Sequence, residues 1–154
     1  MNDKLGPIIR LMSSPIRVLL VEDNPGDAEL TRDTLEDGKL LVDIDLVTDG
    51  AQAMDYLLCR PPYEQAQLPE LILLDLNLPK MGGREVLAEM RQHDRLRQIP
   101  VVVLTSSESH QDITQSYALG ANCYVTKPVG LAGFQSIVRS VENFWFTRVR
   151  LPSP

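Results

Sequence analysis

The chain has 154 residues, the size of one domain with a real core. Its 21 acids against 15 bases give a net charge of −6, which argues against a nucleic-acid partner because a phosphate backbone needs a basic face. Hydrophobic residues at 44% and charged residues at 23% describe ordinary globular usage, not disorder, and the longest apolar runs, about six residues, fall far short of a membrane span.

Met1–Pro15 carries Asp3, Lys4 and Arg10 without a sustained apolar stretch. It reads as a flexible extension with no secretory signal, so a cytoplasmic location is expected. Val18-Leu19-Leu20-Val21 is the first of three apolar runs that do not alternate. A strand covered on both faces loses its polar alternation, so this run predicts a central parallel strand. Asn24-Pro25-Gly26-Asp27 then places a capping residue before a Pro at the first helical position, and Gly38 stands at the expected helix stop. Val42–Val47 alternates, as a weaker strand does.

Asp49-Gly50-Ala51-Gln52 has capping-box spacing and opens a second helix. Arg60–Glu70 is a loop punctuated by prolines. Leu71–Leu74 is the second buried strand, followed by a helix from about Arg84 to Gln92, and Val101–Leu104 is the third. Ser109-His110-Gln111-Asp112 starts a fourth helix that Gly120 ends. Asn122–Thr126 is a weak strand, and a last helix runs from about Leu131 to Thr147.

This five-fold alternation of strand and helix predicts an α/β fold with a parallel sheet covered on both faces. Right-handed crossovers leave few topologies, and the flavodoxin-like order 2-1-3-4-5 is chosen. The expected domain spans residues 16–148, with a tail at 149–154. The two cysteines, Cys59 and Cys123, form no CxxC metal motif and read as reduced, half-buried thiols.

Open α/β sheets bind ligands at the carboxyl ends of their strands. Glu22 and Asp23 follow the first buried strand, Asp75 the second, Thr105 the third, and Lys127 the weak fifth. The chosen order brings three carboxylates, a hydroxyl and an ammonium to one end of the sheet. Three carboxylates in one pocket repel one another unless a cation joins them. A hard divalent ion such as Mg²⁺ takes oxygen ligands and supports phosphoryl transfer. The expected nucleophile is a carboxylate that becomes an acyl phosphate, with Thr105 and Lys127 suited to hold the phosphoryl oxygens.

Val21-Glu22-Asp23-Asn24, Leu74-Asp75-Leu76-Asn77-Leu78-Pro79, Val103-Leu104-Thr105 and Lys127-Pro128 resemble the receiver domain of two-component response regulators. The intervals of 30 residues from Asp75 to Thr105 and 22 from Thr105 to Lys127 fit that family as well. The resemblance implies that Asp75 is the phosphoacceptor, and that Glu22, Asp23, Asp75 and the main-chain carbonyl of Asn77 bind Mg²⁺. It implies that Thr105 and Lys127 contact the phosphoryl group, that Tyr124 is the aromatic switch, and that the Lys127–Pro128 bond is cis. Receivers often carry Asp-Gly after the Met of the acceptor loop, whereas this chain has Met81-Gly82-Gly83, a departure that removes no ligand.

Asn-Pro-x-Asp after the acidic pair, Gly-Arg-Glu-Val-Leu-Ala-Glu, Asn-Cys-Tyr-Val-Thr-Lys and Glu-Asn-Phe-Trp are similar to the small single-domain regulators of bacterial phytochrome histidine kinases. This implies a sensor histidine kinase as phosphoryl donor, and a downstream protein or phosphotransfer partner as receiver of the signal. After Lys127 only one helix and a tail remain, so no output domain is expected.

Phe134, Phe144, Trp145 and Phe146 are half the chain's aromatics and fall in the last helix, whose expected core stripe is Phe134, Ile137, Val138 and Val141. Adjacent helical residues differ by about 100° in direction, so Phe144, Trp145 and Phe146 cannot all face one core. Either some of them form a contact patch or the helix frays and folds back; the expectation is a homodimer through this helix and the neighbouring strand edge. Two rivals remain. A phosphorylation-independent scaffold is disfavoured by intact Asp75, Thr105 and Lys127. An Asp-nucleophile phosphatase is disfavoured because Asn77 stands where such enzymes carry their acid/base carboxylate. The chain is therefore expected to catalyse only its own phosphotransfer and dephosphorylation, and not to be an enzyme in the ordinary sense.

Overall fold

The computed structural model describes residues 15–38 and 41–144. The elements run β1 (Ile16–Val21), α1 (Pro25–Glu36), β2 (Val42–Val47), α2 (Gly50–Leu57), β3 (Leu71–Leu74), α3 (Gly83–Met90), β4 (Val101–Thr105), α4 (His110–Ala118), β5 (Cys123–Thr126) and α5 (Leu131–Glu142). A single helical turn at Asp94–Arg97, too short to leave a periodic signal, precedes β4. All strand pairs are parallel, in the order β2-β1-β3-β4-β5. This is the flavodoxin-like arrangement expected from the alternation of apolar runs and capped helices.

Strand side chains alternate between two cores. Leu19, Val21, Ile72, Leu74, Val101 and Val103 point to the side covered by α2 and α3, where Met54, Leu57, Val86 and Leu87 meet them. Val18, Leu20, Leu71, Leu73, Val102 and Leu104 point to the other side, where α1 supplies Ala28 and Leu35, and α5 supplies Phe134, Val138 and Val141. Because both faces are covered, β1, β3 and β4 have no polar alternation. Each fully buried Leu or Val contributes about 1.5–3 kcal/mol of transfer free energy.

The helix starts follow their caps. Asn24 Oδ1 accepts the Asp27 N–H at 3.0 Å, and Asp49 Oδ1 accepts the Gln52 N–H at 2.8 Å. The Gln52 side chain reaches back to the Thr48 N–H at 3.0 Å, one residue before the cap. Ser109 Oγ accepts the Asp112 N–H at 3.3 Å. Gly120 has φ +101°, the left-handed stop that follows α4. Gly82 caps α3 with no side-chain bond, the local cost of Gly where receivers often carry Asp.

Two expectations change. Lys127–Pro128 is not cis; the cis bond among the described residues is Pro61–Pro62. Trans is the favoured isomer of an X-Pro bond, and the Lys127 N–H donates to the Thr105 carbonyl at 2.7 Å, carrying the β4–β5 pairing one step further. Cys59 is exposed rather than half-buried, while Cys123 is half-buried, and both are free. The regular part of α5 spans Leu131–Glu142, and the expected end at Thr147 lies outside the described residues. Its core stripe is as expected, with Ile137 partly buried, and Phe144 is exposed. The expectations for Trp145 and Phe146, for residues 1–14 of the extension and for the tail at 149–154 lie outside the described residues.

Candidate phosphoacceptor and metal site

The sheet hydrogen bonds deliver the site residues. The Glu22 N–H donates to the Val47 carbonyl and the Asp75 N–H to the Val21 carbonyl, both at 3.0 Å. Each of these residues, like Lys127, is therefore fixed one step past the end of its strand. Asp75 is held from the following loop as well, because the Asn77 N–H donates to Asp75 Oδ1 at 3.1 Å. Gly83 closes that loop. A Cβ at Gly83 would lie 2.5 Å from the Asp75 carbonyl oxygen and 2.7 Å from Leu76 Cα, so only glycine lets α3 start this close to the acceptor loop.

Carboxylate oxygens of Glu22, Asp23 and Asp75 lie within 4.8 Å of one another. Glu22 and Asp75 are buried and Asp23 is exposed, so the cluster opens to solvent on the Asp23 side. Lys127 Nζ, itself buried, donates to Glu22 Oε1, to Asp75 Oδ2 at 3.0 Å and to Asp27 Oδ2 at 3.0 Å. One ammonium thus serves three carboxylates.

Asp27 is the site residue that sequence reasoning missed. From sequence it reads only as part of the cap of α1. The available signal was its spacing: four residues after Asp23, in the first turn of a helix that starts at the same end of the sheet.

The electrostatics follow from this crowding. Burial, then the hydrogen bond with Asp75, pushes the Glu22 carboxyl up to about 7 against the pull of Lys127. Burial acts on Asp75 in the same direction but is outweighed by hydrogen bonding with Glu22 and by the charge of Lys127, so Asp75 ionises below the usual carboxylate range. Burial disfavours the charge on Lys127, yet Glu22 and Asp75 more than restore it and hold its proton above the usual lysine range. The lone ammonium leaves the pocket with excess negative charge. An all-oxygen donor set with that excess fits a hard divalent cation better than a soft one.

Thr105 ends β4 fully buried; its Oγ1 makes no complete hydrogen bond among the described residues, yet lies near enough to Asp75 to help hold that carboxylate ionised. Tyr124, on β5, donates its phenol to the Ser107 carbonyl at 2.8 Å, so its ring is tied to the loop that follows Thr105. The structure therefore gathers Glu22, Asp23, Asp75, Lys127 and Asp27 directly, and brings Thr105 and Tyr124 together through the β4–α4 loop. His93 is half-buried beside Glu89 and His110 is exposed; neither belongs to the site.

This strand-end constellation on a 2-1-3-4-5 sheet belongs to a known class: residues 18–139 match the response regulator receiver domain, and the chain is a member of that family. Among individual relatives, response regulator Rcp1 of Synechocystis sp. is 44% identical over 139 residues, covering 90% of this chain and 95% of Rcp1. The crystal structure of the phosphorylated cyanobacterial phytochrome response regulator RcpA matches with a TM-score of 0.88 at 44% identity, covering 91% of this chain and 100% of that one. The Mn²⁺-bound form of Rcp1 matches with a TM-score of 0.87 at 44% identity, over 90% and 100%. The resemblance to phytochrome response regulators read from the motifs is borne out. No helix among the described residues is long and apolar enough to cross a membrane.

Proposed function

We propose that this chain is a response regulator that accepts a phosphoryl group on Asp75 from a sensor histidine kinase, and that the kinase is a bacterial phytochrome. The observation that carries the reading is the buried Asp75 carboxylate, held by Lys127 and the Asn77 N–H beside Glu22 and Asp23. The phytochrome pairing rests on likeness to RcpA and Rcp1. Glu22, Asp23, Asp75 and the Asn77 carbonyl would hold Mg²⁺, which when bound offsets charge on the phosphoryl oxygens.

In the transfer, an Asp75 carboxylate oxygen attacks phosphorus in line. The P–N bond to the donor imidazole breaks, its electron pair goes to the ring nitrogen, and Asp75 becomes an acyl phosphate. The low Asp75 pKa keeps the nucleophile ionised at neutral pH. Lys127 stays charged and is placed to meet a phosphoryl oxygen, and the orphan Thr105 hydroxyl is a donor waiting for another. The added charge of about −1.5 to −2 then biases the β4–α4 loop and Tyr124, so that the face of α4, β5 and α5 changes its partners.

The receiver unit takes in residues 16–148 and works in the cytoplasm by protein contact or onward transfer, not by turnover of a substrate. A homodimer through α5 and the β5 edge is part of the reading. Tyr117, Leu131 and Phe144 expose large apolar surface there, and β5 is the last strand of the sheet. Sedimentation as a monomer at high concentration, with and without beryllofluoride, would remove the dimer from the reading.

The central test is intact-mass spectrometry after incubation with acetyl phosphate, or with a phosphorylated phytochrome kinase, with and without Mg²⁺. One phosphoryl adduct is expected, absent in Asp75→Asn and absent with EDTA. An adduct that survives Asp75→Asn, or none from either donor, refutes the assignment.

A further inference from the structure

The β4–α4 loop contains more hydrogen bonding than the phosphotransfer reading uses. Ser107, two residues past Thr105, is gripped from three sides. Its carbonyl accepts from Tyr124 Oη at 2.8 Å, its hydroxyl donates to Asp112 Oδ2 at 2.6 Å, and its Oγ accepts the Ser109 N–H at 3.3 Å. The other oxygen of Asp112 accepts from Arg84 Nη1 at 2.8 Å, and the same nitrogen donates to Gln115 Oε1 at 2.7 Å. Arg84 directly follows Gly83, where an added Cβ would stand 2.5 Å from the Asp75 carbonyl oxygen. At the far end, the Tyr124 N–H donates to Tyr117 Oη at 3.1 Å, so α4 holds the Tyr124 backbone while the β4–α4 loop holds its phenol.

A continuous chain of contacts thus runs from the acceptor loop through Arg84, Asp112 and Ser107 to Tyr124. None of its hydrogen bonds is made to Glu22, Asp23, Asp75 or Lys127. It lies parallel to the metal cluster rather than within it.

This chain answers a question that the site raises. A buried hydroxyl that falls short of full hydrogen-bond geometry is unfavourable, and Thr105 Oγ1, near enough to Asp75 to favour its charge but with no complete hydrogen bond among the described residues, is in that condition. Left to itself, the loop would relax toward an arrangement in which Thr105 finds an acceptor or reaches water. Something must oppose that relaxation, and the hydrogen bonds converging on Ser107 are where the loop is held. Two of the bonds in the chain involve the Asp112 carboxylate, the stronger, charge-assisted kind. The Arg84 side chain is 46% exposed and that of Asp112 is 21% exposed, so their pair adds little to global stability. Its effect is local, on the population of one loop arrangement.

The geometry points to Arg84, Asp112 and Ser107 as a positioning relay that holds Thr105 and Tyr124 in the phosphoryl-receiving arrangement before any phosphoryl group arrives. The inference rests on Asp75 being the phosphoacceptor. The relay sets how often the site is ready, and hence the rate of phosphorylation, while leaving metal binding alone. When the phosphoryl group arrives, its oxygen supplies the missing partner of Thr105, and the arrangement no longer depends on the relay.

The test is the initial rate of adduct formation with acetyl phosphate and Mg²⁺ in the full chain, for Arg84→Gln, Ser107→Ala, Asp112→Ala, the Arg84→Gln/Asp112→Ala double variant and Ser107→Thr. Each of the first three should slow the rate about three- to tenfold, the reach of one or two charge-assisted hydrogen bonds on a two-state population. The double variant should be no slower than the slower single one, because one broken link opens the relay. Ser107→Thr keeps the hydroxyl and should stay within about twofold of wild type. Mg²⁺ affinity should stay within about twofold throughout, since no cluster ligand changes. If wild type reacts and Arg84→Gln keeps its full rate, the relay is refuted while the acceptor assignment stands. Multiplying losses in the double variant, or a parallel fall in Mg²⁺ affinity, also refute it. If wild type takes no phosphoryl group from acetyl phosphate or from a phosphorylated kinase, the acceptor assignment fails and the relay with it. Arg84→Gln alters an exposed side chain, so the test survives even if Asp112→Ala fails to fold.

Discussion

Gly83→Ala separates a structural requirement of the acceptor loop from mere sequence preference. The added Cβ would stand 2.5 Å from the Asp75 carbonyl oxygen, 2.7 Å from Leu76 Cα and 3.2 Å from the Asp75 carbonyl carbon. A comfortable carbon–oxygen contact is longer by roughly 0.7–1 Å, and all three neighbours are backbone atoms that cannot rotate away. Overpacking of this kind costs about 1–3 kcal/mol, against up to about 1 kcal/mol gained by Ala over Gly in a helix. The net expectation is a loss of about 1–2 kcal/mol, or a fall in Tm of about 3–8 °C. The displaced carbonyl belongs to Asp75 itself, and the Gly83 N–H bond to the Leu76 carbonyl at 3.0 Å ties the loop to the helix. A shift of that size at a reacting group slows transfer by about ten- to a hundredfold. Gly82→Ala is the control, with no atom nearer than 3.8 Å to its new Cβ, and it should change both quantities little. The assays are thermal unfolding and the acetyl phosphate rate. If Gly83→Ala equals Gly82→Ala in both, the close-approach argument is wrong.

Other perturbations have expected outcomes of known sign. Glu142 is buried on α5, its Oε2 has no hydrogen-bond partner among the described residues, and burial raises its pKa despite Arg139. The folded state therefore holds this proton more tightly, and stability falls as pH rises from the ordinary glutamate value through the folded one. Glu142→Gln should be near neutral at pH 4 and stabilising by about 1–2 kcal/mol at pH 8, read from urea midpoints; equal effects at both pH values would refute the burial account. Mg²⁺ at a hundred times its Kd should stabilise the chain by about 2.7 kcal/mol, reversed by EDTA and lost in Asp23→Asn; an unchanged Tm would mean that the cluster holds no metal. Gly82→Asp should restore a side-chain cap to α3 and add about 0.5 kcal/mol, measured in the same urea titration.

What the sequence revealed is what local chemistry controls. β1, β3 and β4 announce themselves because burial on both faces abolishes alternation, and handedness narrows the strand orders to a few, of which the flavodoxin-like one is chosen. Glu22, Asp23, Asp75, Thr105 and Lys127 were legible because a parallel sheet presents the residue after each strand at one end. Contacts that join distant segments left no such trace. Asp27 meets Lys127 across 100 residues and Arg84 meets Asp112 across 28. The need for glycine at position 83 depends on a backbone that only the folded loop brings near. The Lys127–Pro128 expectation came from resemblance alone, and here the chain differs.

The charge pattern of the pocket explains why these pieces work as one device. Lys127 is what joins Glu22, Asp27 and Asp75, and burial, then the hydrogen bond with Asp75, raises the Glu22 carboxyl to about 7 although Lys127 pulls the other way. A phosphoryl group on Asp75 adds about −1.5 to −2 charges where negative charge is already in excess. The product is therefore tenable only if positive charge and donors are concentrated on it. Lys127 is already in reach of Asp75 Oδ2, the Thr105 hydroxyl is unspent, and the open Asp23 side gives a divalent ion access. Each of these is a cost in the resting protein: a buried ammonium, an orphan hydroxyl, crowded carboxylates. A fold selected for stability alone would remove them. On the proposed function, one acyl phosphate and one cation would offset these costs together, and the resulting difference in stability between the two states would be the signal.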